Sequence, residues 1–256
     1  NELLPVIKIG GNVVDNPDAL DAFLDDFTAT GHGKILVHGG GVMASQTLDR
    51  LGIESRMVDG RRITDAETLK VAAAVYAGLL NKTIVAKLQA RGCDAVGLSG
   101  ADGNAIEADM RPKTPVDFGY AGDVRAVNVK FLVFLLEHGF TPVICAITHD
   151  GKGTLLNTNA DTIASSVAKA MAAVRQVTLT YCFEKKGVLA DPDDEDSVIP
   201  RIDKTVFAEL KDSGVVSAGM IPKLDNAFGA IDAGVQRVII KSSADLGKMT
   251  GTIIEK

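Results

Sequence analysis

The stretch "KILVHGGGVMAS", residues 34–45, sets an apolar strand-like run directly against three glycines and then a helix-like segment. Three side chains discarded at a strand end imply that something lies close against that backbone. A dinucleotide, a phosphoryl group or a tight turn would each fit. Gly39-x-Gly41-x-x-Ala44 satisfies the permissive dinucleotide fingerprint, and Asp59 lies about 20 residues on, where a ribose-binding acid belongs. An NAD-linked dehydrogenase is therefore a competing reading. The first strand argues against it. In "VIKIGGN", residues 6–12, a second glycine pair, Gly10 and Gly11, ends a strand that carries Lys8. A dinucleotide fold needs one such crevice and has no use for a lysine inside its first strand. Two glycine-rich strand ends plus a lysine describe a cradle for polyphosphate, built of backbone N–H groups and one cation. The Walker A pattern G-x-x-x-x-G-K-[ST] is absent from the sequence, which sets an ordinary P-loop enzyme aside.

Outward from these two strands, strand-like and helix-like runs alternate. Residues 15–33 read as a helix capped by Asn16, with Pro17 at its first position and Gly31 near its end. Residues 63–92 open with a Thr64/Glu67 capping box and predict an unusually long helix ending at Gly92. "DAVGLS" (94–99), "TPVICAI" (141–147) and "QRVIIK" (236–241) are further β-rich runs, and residues 159–173 and 218–234 are helical. Such alternation implies an α/β fold, a mostly parallel central sheet covered by helices on both faces. Between Ala101 and Val127 glycines, prolines and short polar strands predict a hairpin excursion. The acidic "DPDDED" at 191–196 reads as a solvated loop.

Bulk composition narrows the function. The 256 residues are 46% hydrophobic and 23% charged, as in a globular protein with a sizeable core. A net charge of -6 removes the electrostatic case for nucleic acid or an acidic membrane surface. Apolar stretches such as Phe131 to Leu136 are too short to span a bilayer, and no charged leader precedes the first strand. Cys93, Cys145 and Cys182 lie far apart beside apolar runs, which predicts buried, reduced thiols in a cytoplasmic protein and no metal site.

Two later stretches carry chemistry. "LLNTNADTIASS" places Asn157, Asn159 and Asp161 at the mouth of a helix, where a plain N-cap is the simplest reading. "AGMIPKLDNAF" carries Lys223 one turn inside another helix, where a lone lysine is ordinarily solvated. With "VHGGG", "DGRRITDAET", "NKTIVAKL", "GLSGADGN" and "DFGYAGDV", these stretches make the chain resemble the amino acid kinase superfamily, nearly end to end. "DGRRIT" followed by "NTNAD" points to its acylglutamate kinase branch.

The resemblance implies a single domain over residues 1–256 in a three-layer αβα sandwich. An N-terminal lobe to about residue 174 would bind the acylglutamate and dimerise, and the remainder would bind nucleotide. It implies ATP-dependent phosphorylation of the γ-carboxylate of N-acetyl-L-glutamate in arginine biosynthesis, with Mg²⁺ held mainly by the nucleotide phosphates. Lys8 and Lys223 would flank the transferring phosphoryl group, and Asp161 would hold both ammonium groups. Gly10 and Gly11 would contact the nucleotide phosphates, together with Glu184, Gly187, Leu189 and Ser217 nearer adenine and ribose. Gly40, Gly41, Arg62 and Asn157 would hold the acceptor, Arg62 through its α-carboxylate. Such a reaction suits the residues present: a γ-carboxylate with a reference pKa near 4.3 is already ionised at pH 7 and needs no general base. His32, His38, His138 and His149 accordingly show no catalytic arrangement, and His38 reads as structural.

The chain departs from the family pattern in places. "CFEKKGV" (182–188) puts Glu184 where an aspartate is usual, and "CAITHD" (145–150) replaces a Pro-Ile-Gly near the acceptor's far end. A widened end with His149 beside it could favour N-succinyl-L-glutamate as the alternative acceptor. Relatives inhibited by arginine carry an extra N-terminal helix, and the early first strand here predicts an arginine-insensitive enzyme. A non-catalytic sensor on the same fold is the remaining rival, and retention of Lys8, Asp161 and Lys223 together argues against it.

Overall fold

The computed structural model describes residues 3–58, 60–215 and 220–256. Its centre is an eight-stranded sheet built from β1 (Leu3–Ile9), β2 (Ile35–His38), β3 (Ala95–Leu98), β4 (Thr141–Ile144), β5 (Gln176–Phe183), β6 (Arg201–Ile202), β7 (Arg237–Ser242) and β8 (Thr252–Ile254). The strand order is β6-β8-β7-β5-β1-β2-β4-β3. The six strands from β7 to β3 are parallel, β8 runs antiparallel to β7, and β6 lies parallel to β8. Buried on both faces, parallel strands read as unbroken apolar runs, and β2 is buried at all four positions. The mostly parallel α/β expectation holds.

Helices α1 (Gly11–Val14), α2 (Pro17–Ala29), α3 (Gly41–Arg50), α4 (Ala66–Gln89), α5 (Val129–Glu137), α6 (Ala160–Ala172), α7 (Lys204–Asp212) and α8 (Ile221–Asp232) cover the sheet. As expected, Asn16 caps α2 through its side-chain oxygen, which accepts from Asp18 and Ala19 N–H, with Pro17 in the first turn. Lys34 closes the other end of α2. Its ammonium lies 4.5 Å over the Phe27 ring and donates to the carbonyls of Phe27 and Thr28. All three cysteines are free and buried, and burial pushes the Cys145 and Cys182 thiols up to about 12. The "DPDDED" segment is exposed throughout.

Three features differ from expectation. The cap of α4 is Asp65, whose Oδ1 accepts from Thr68 N at 2.7 Å, so the Thr64/Glu67 box does not form. Thr64 is already engaged: its N–H donates to Phe118 O, its carbonyl accepts from Tyr120 N, and its hydroxyl donates to Arg62 O. Residues Ala74–Leu80 of α4 form a π-helical segment, a wide turn that periodicity does not forecast. By length and composition α4 could cross a membrane, which corrects the statement that every apolar run is too short. Its Val71, Val75, Leu80, Ile84 and Leu88 nevertheless join the core as one stripe.

The predicted excursion is a hairpin, Ile106–Met110 against antiparallel Gly122–Val127. Strands Ile147–His149 and Leu155–Asn157 extend it into a four-stranded sheet at the edge of the site. A further two-stranded ribbon, Met57–Val58 with Arg61–Arg62, faces it across the cavity described next.

Candidate active site

The two glycine pairs end neighbouring parallel strands, β1 and β2, and each opens a helix, α1 and α3. That is the carboxyl edge where open α/β sheets bind ligands. Gly10 N–H donates to Cys182 O at 3.1 Å, tying the first loop to the end of β5. A Cβ on Gly11 would stand 3.8 Å from Gly41 N, so the two glycine loops lie side by side. A Cβ on Gly40 would strike Leu80 Cδ1 at 2.2 Å and Tyr76 at 3.1 Å. The π turn of α4 thus presses on the second loop, and only glycine fits there.

Behind the loops, His38 is fully buried. Its Nδ1 meets Gly39 O at 2.8 Å and its Nε2 meets Asn81 Nδ2 at 3.0 Å, the pattern of a neutral ring protonated at Nδ1. Burial brings its pKa down to about 4. Its structural reading stands.

Lys8 projects from β1 into the crevice, where its Nζ pairs with Asp161 Oδ1 at 2.7 Å. Asp161 sits in the first turn of α6, whose cap is Asn159, accepting from Thr162 N. The pair lies where two cavities meet. The larger is lined by both glycine loops, Tyr76, Ala146, Arg61, Arg62, Gly122 and Asn157. In it Arg62 is 6% exposed, and its fork donates to Ser55 Oγ, Ser45 Oγ and Gly41 O. Arg62 Nε is buried without a partner among the described residues. A buried cation with an unmet donor is a site for an anion. Asn157 Nδ2 donates to Thr64 Oγ1 at 3.0 Å, which joins the cavity wall to the ribbon. Tyr76 is held neutral by burial, which raises its pKa.

The smaller cavity, shared by Lys8 and Asp161, is lined by Tyr181, Phe183, Lys223, Asn226 and Ile240. Lys223, in the first turn of α8, stands 5.1 Å from the centre of the Phe183 ring. No ion pair joins it to Asp161 among the described residues, so Asp161 meets one of the two ammonium groups expected of it. A third, apolar hollow is formed by Lys185, Gly187, Val188, Leu189, Pro192, Val215 and Met220.

A model of the amino acid kinase family matches residues 4–242. The chain belongs to the amino acid kinase family. It is 54% identical over 255 residues to an acetylglutamate kinase of Phocaeicola vulgatus, covering 100% of this chain and 99% of that one. It is 55% identical over 244 residues to an acetylglutamate kinase of Cytophaga hutchinsonii, covering 95% and 92%. A crystal structure of a Streptococcus mutans protein superposes with a TM-score of 0.81 at 28% identity, covering 99% of this chain and 98% of that one.

For this amino acid kinase the dehydrogenase reading falls away: the Gly39–Ala44 fingerprint faces Lys8 and Gly11, and the family is another. The residues expected to hold adenine are only partly together. Gly187 and Leu189 line the apolar hollow. Glu184 does not; it accepts a hydrogen bond from Asn12, the residue after the Gly10–Gly11 pair. Ser217, like Asp59, lies outside the described residues. Thr252 steadies that region, its hydroxyl accepting from Val188 N and donating to Ile199 O. Among the described residues no group of His, Cys, Asp or Glu could hold a metal ion. Sequence reasoning missed Tyr76, Met57, Arg61, Gly122 and Asn226 as lining residues. Of these, Arg61, Gly122 and Asn226 lie within the quoted stretches "DGRRITDAET", "DFGYAGDV" and "AGMIPKLDNAF", whereas Met57 and Tyr76 lie outside every quoted motif.

Proposed function

We propose that this amino acid kinase transfers the γ-phosphoryl group of ATP to the γ-carboxylate of N-acetyl-L-glutamate, the second step of arginine biosynthesis. The observation that carries the reading is the Lys8–Asp161 pair at the junction of an acceptor cavity holding Arg62 and a second cavity holding Lys223. The full-length likeness to acetylglutamate kinases supports it. An oxygen of the ionised γ-carboxylate attacks the γ-phosphorus, the bond to the bridging β,γ-oxygen breaks, and ADP leaves. Two anions must meet, so the enzyme's task is positioning and charge neutralisation. Arg62 takes the α-carboxylate, with Gly40, Gly41 and Asn157 around the acceptor. Gly10 and Gly11 offer N–H groups to the phosphates, Lys8 faces the transferring group, and Lys223 approaches from the nucleotide side. Mg²⁺ enters with ATP, because Asp161, the acid nearest the crossing point, is occupied by Lys8. Residues to about 174 then serve the acceptor and the remainder the nucleotide, adenine resting in the hollow that holds Gly187 and Leu189. The reading also implies a cytoplasmic enzyme. An ATP-dependent hydroxamate assay, which traps acyl phosphates, tests the reaction: N-acetyl-L-glutamate should react and free L-glutamate should not. Absence of product from every acylated glutamate would overturn it.

Arg62→Lys should raise KM for the acylglutamate at least tenfold and leave KM for ATP within about twofold, because the charge stays and the planar fork is lost. Equal changes in both KM values would remove Arg62 from its role.

The outer face of α4 supports a homodimer. Leu79 is 56% exposed, and Ala74, Gly78 and Leu79 leave an apolar strip opposite the buried stripe. A twofold axis would cover it with its own copy. Light scattering at micromolar concentration should report twice the chain mass, and a monomer there contradicts the interface.

A further inference from the structure

Behind the acceptor cavity, a chain of polar contacts runs from the surface of α4 to the second glycine loop. Lys82 Nζ donates to Asn81 Oδ1 at 3.0 Å and to Gly97 O at 3.2 Å. Asn81 is fully buried, and its Nδ2 lies 3.0 Å from both Val143 O and His38 Nε2. His38, equally buried, meets Gly39 O through Nδ1 at 2.8 Å. β3 makes room for the chain at Gly97, where a Cβ would overlap Asn81 Oδ1.

Each link fixes the next. A carbonyl only accepts and an ammonium only donates, so Val143 O and Lys82 leave one orientation for the Asn81 amide. Nδ2 then donates to His38 Nε2, which must be unprotonated. The single ring proton sits on Nδ1 and is donated to Gly39 O. Burial keeps the ring neutral, and the Lys82 charge works in the same direction. The Gly39 carbonyl is therefore held toward the core. The Gly39–Gly40 peptide is trans, and in a trans peptide the carbonyl and the next N–H point in opposite directions. Gly40 N–H is thereby turned to the cavity that Gly40 lines. No backbone carbonyl accepts it among the described residues. Two apolar side chains could fill the space of His38 and Asn81, but they could not choose the direction of that carbonyl.

We propose that Asn81 and His38 are positioning residues for the acceptor: by fixing one ring tautomer they aim Gly40 N–H at a carboxylate of the bound acylglutamate. Neither side chain lines the cavity, so both act through a single peptide plane. The inference rests on the acylglutamate kinase reading for the identity of the anion.

Two substitutions of His38 separate positioning from packing. His38→Leu fills the space and removes the donor to Gly39 O. Its kcat/KM for N-acetyl-L-glutamate should fall about ten- to a hundredfold, the range for one hydrogen bond to a charged group, with KM for ATP within about twofold. His38→Asn keeps an N–H near the Nδ1 position and should recover part of that loss. It leaves a cavity and buries a polar group, so its urea midpoint should be the lower of the two. Acceptor kinetics and stability are thus expected to rank the variants in opposite orders. Kinetics that follow the urea midpoint overturn the positioning role and leave a structural one. The wild-type chain supplies a check that no folding defect can spoil. Imidazole ¹⁵N spectra should show His38 protonated at Nδ1, and protonation at Nε2 overturns the proposal. Absence of turnover of N-acetyl-L-glutamate by the wild type overturns the kinase reading itself, and the tautomer is read independently of it.

Discussion

Lys8→Ala is expected to lower kcat by roughly two to three orders of magnitude, the scale on which one preorganised donor to transition-state charge is lost. The loss has two parts. The ammonium that faces the transferring group disappears, and Asp161, 2.7 Å from it, is left as an uncompensated carboxylate where two anions must meet. Asp161 is about one-third exposed, so solvent screens part of that repulsion. Lys223→Ala removes a cation on the other side that pairs with no acid among the described residues and rests over Phe183. It should therefore cost somewhat less, about a hundredfold. Single-turnover measurements on purified variants with native circular dichroism separate the chemical step from release. Near-wild-type turnover in Lys8→Ala would sink the mechanism, and a larger loss in Lys223→Ala would reverse the assigned roles.

Gly119→Ala should be the most damaging conservative change to stability, lowering it by roughly 2–5 kcal/mol. Gly119 has φ +64°, a conformation that costs a residue with a side chain about 1–2 kcal/mol. A Cβ there would also stand 2.3 Å from the backbone oxygen of Thr64, adding about 1–3 kcal/mol of overpacking. The neighbour is backbone and cannot swing away. Thr64 accepts from Tyr120 N at 2.7 Å and, through its hydroxyl, from Asn157 Nδ2 at 3.0 Å. The strain therefore runs into the acceptor cavity, and KM for the acylglutamate should rise as the urea midpoint falls. A stability within about 0.5 kcal/mol of wild type would show that the loop relaxes freely.

Much of the fold was legible because its causes are local. β1 and β2 lie inside a parallel sheet, so their sequences are largely apolar runs, and the glycine pairs mark where they stop. Asn16 and Pro17 announce α2 by chemistry contained within four residues. The cap of α4 misled for a physical reason: Thr64 and Asp65 both suit a cap, and long-range bonds to Phe118 and Tyr120 occupy Thr64. The π turn left no pattern, since it is set by tertiary packing around Tyr76 and Leu80.

The candidate site divides in the same way. Lys8 and the four loop glycines stood out from their own neighbourhoods, because a lysine in a central strand and side chains discarded at its end need an explanation, whereas Arg62 was named only through the family resemblance. What only the tertiary structure decided was which charges are already matched. Lys8 and Asp161 are far apart in the chain and meet because β1 lies beside β5, with Lys8 opposite Tyr181, and α6 packs across both. The sequence puts Arg61 and Arg62 side by side as equals. The folded chain buries one among Ser45, Ser55 and Gly41 and leaves the other with a share of Asp123. Pairing of charges depends on distances of a few ångströms between segments remote in sequence, and those distances are set by sheet register and helix packing rather than by residue type.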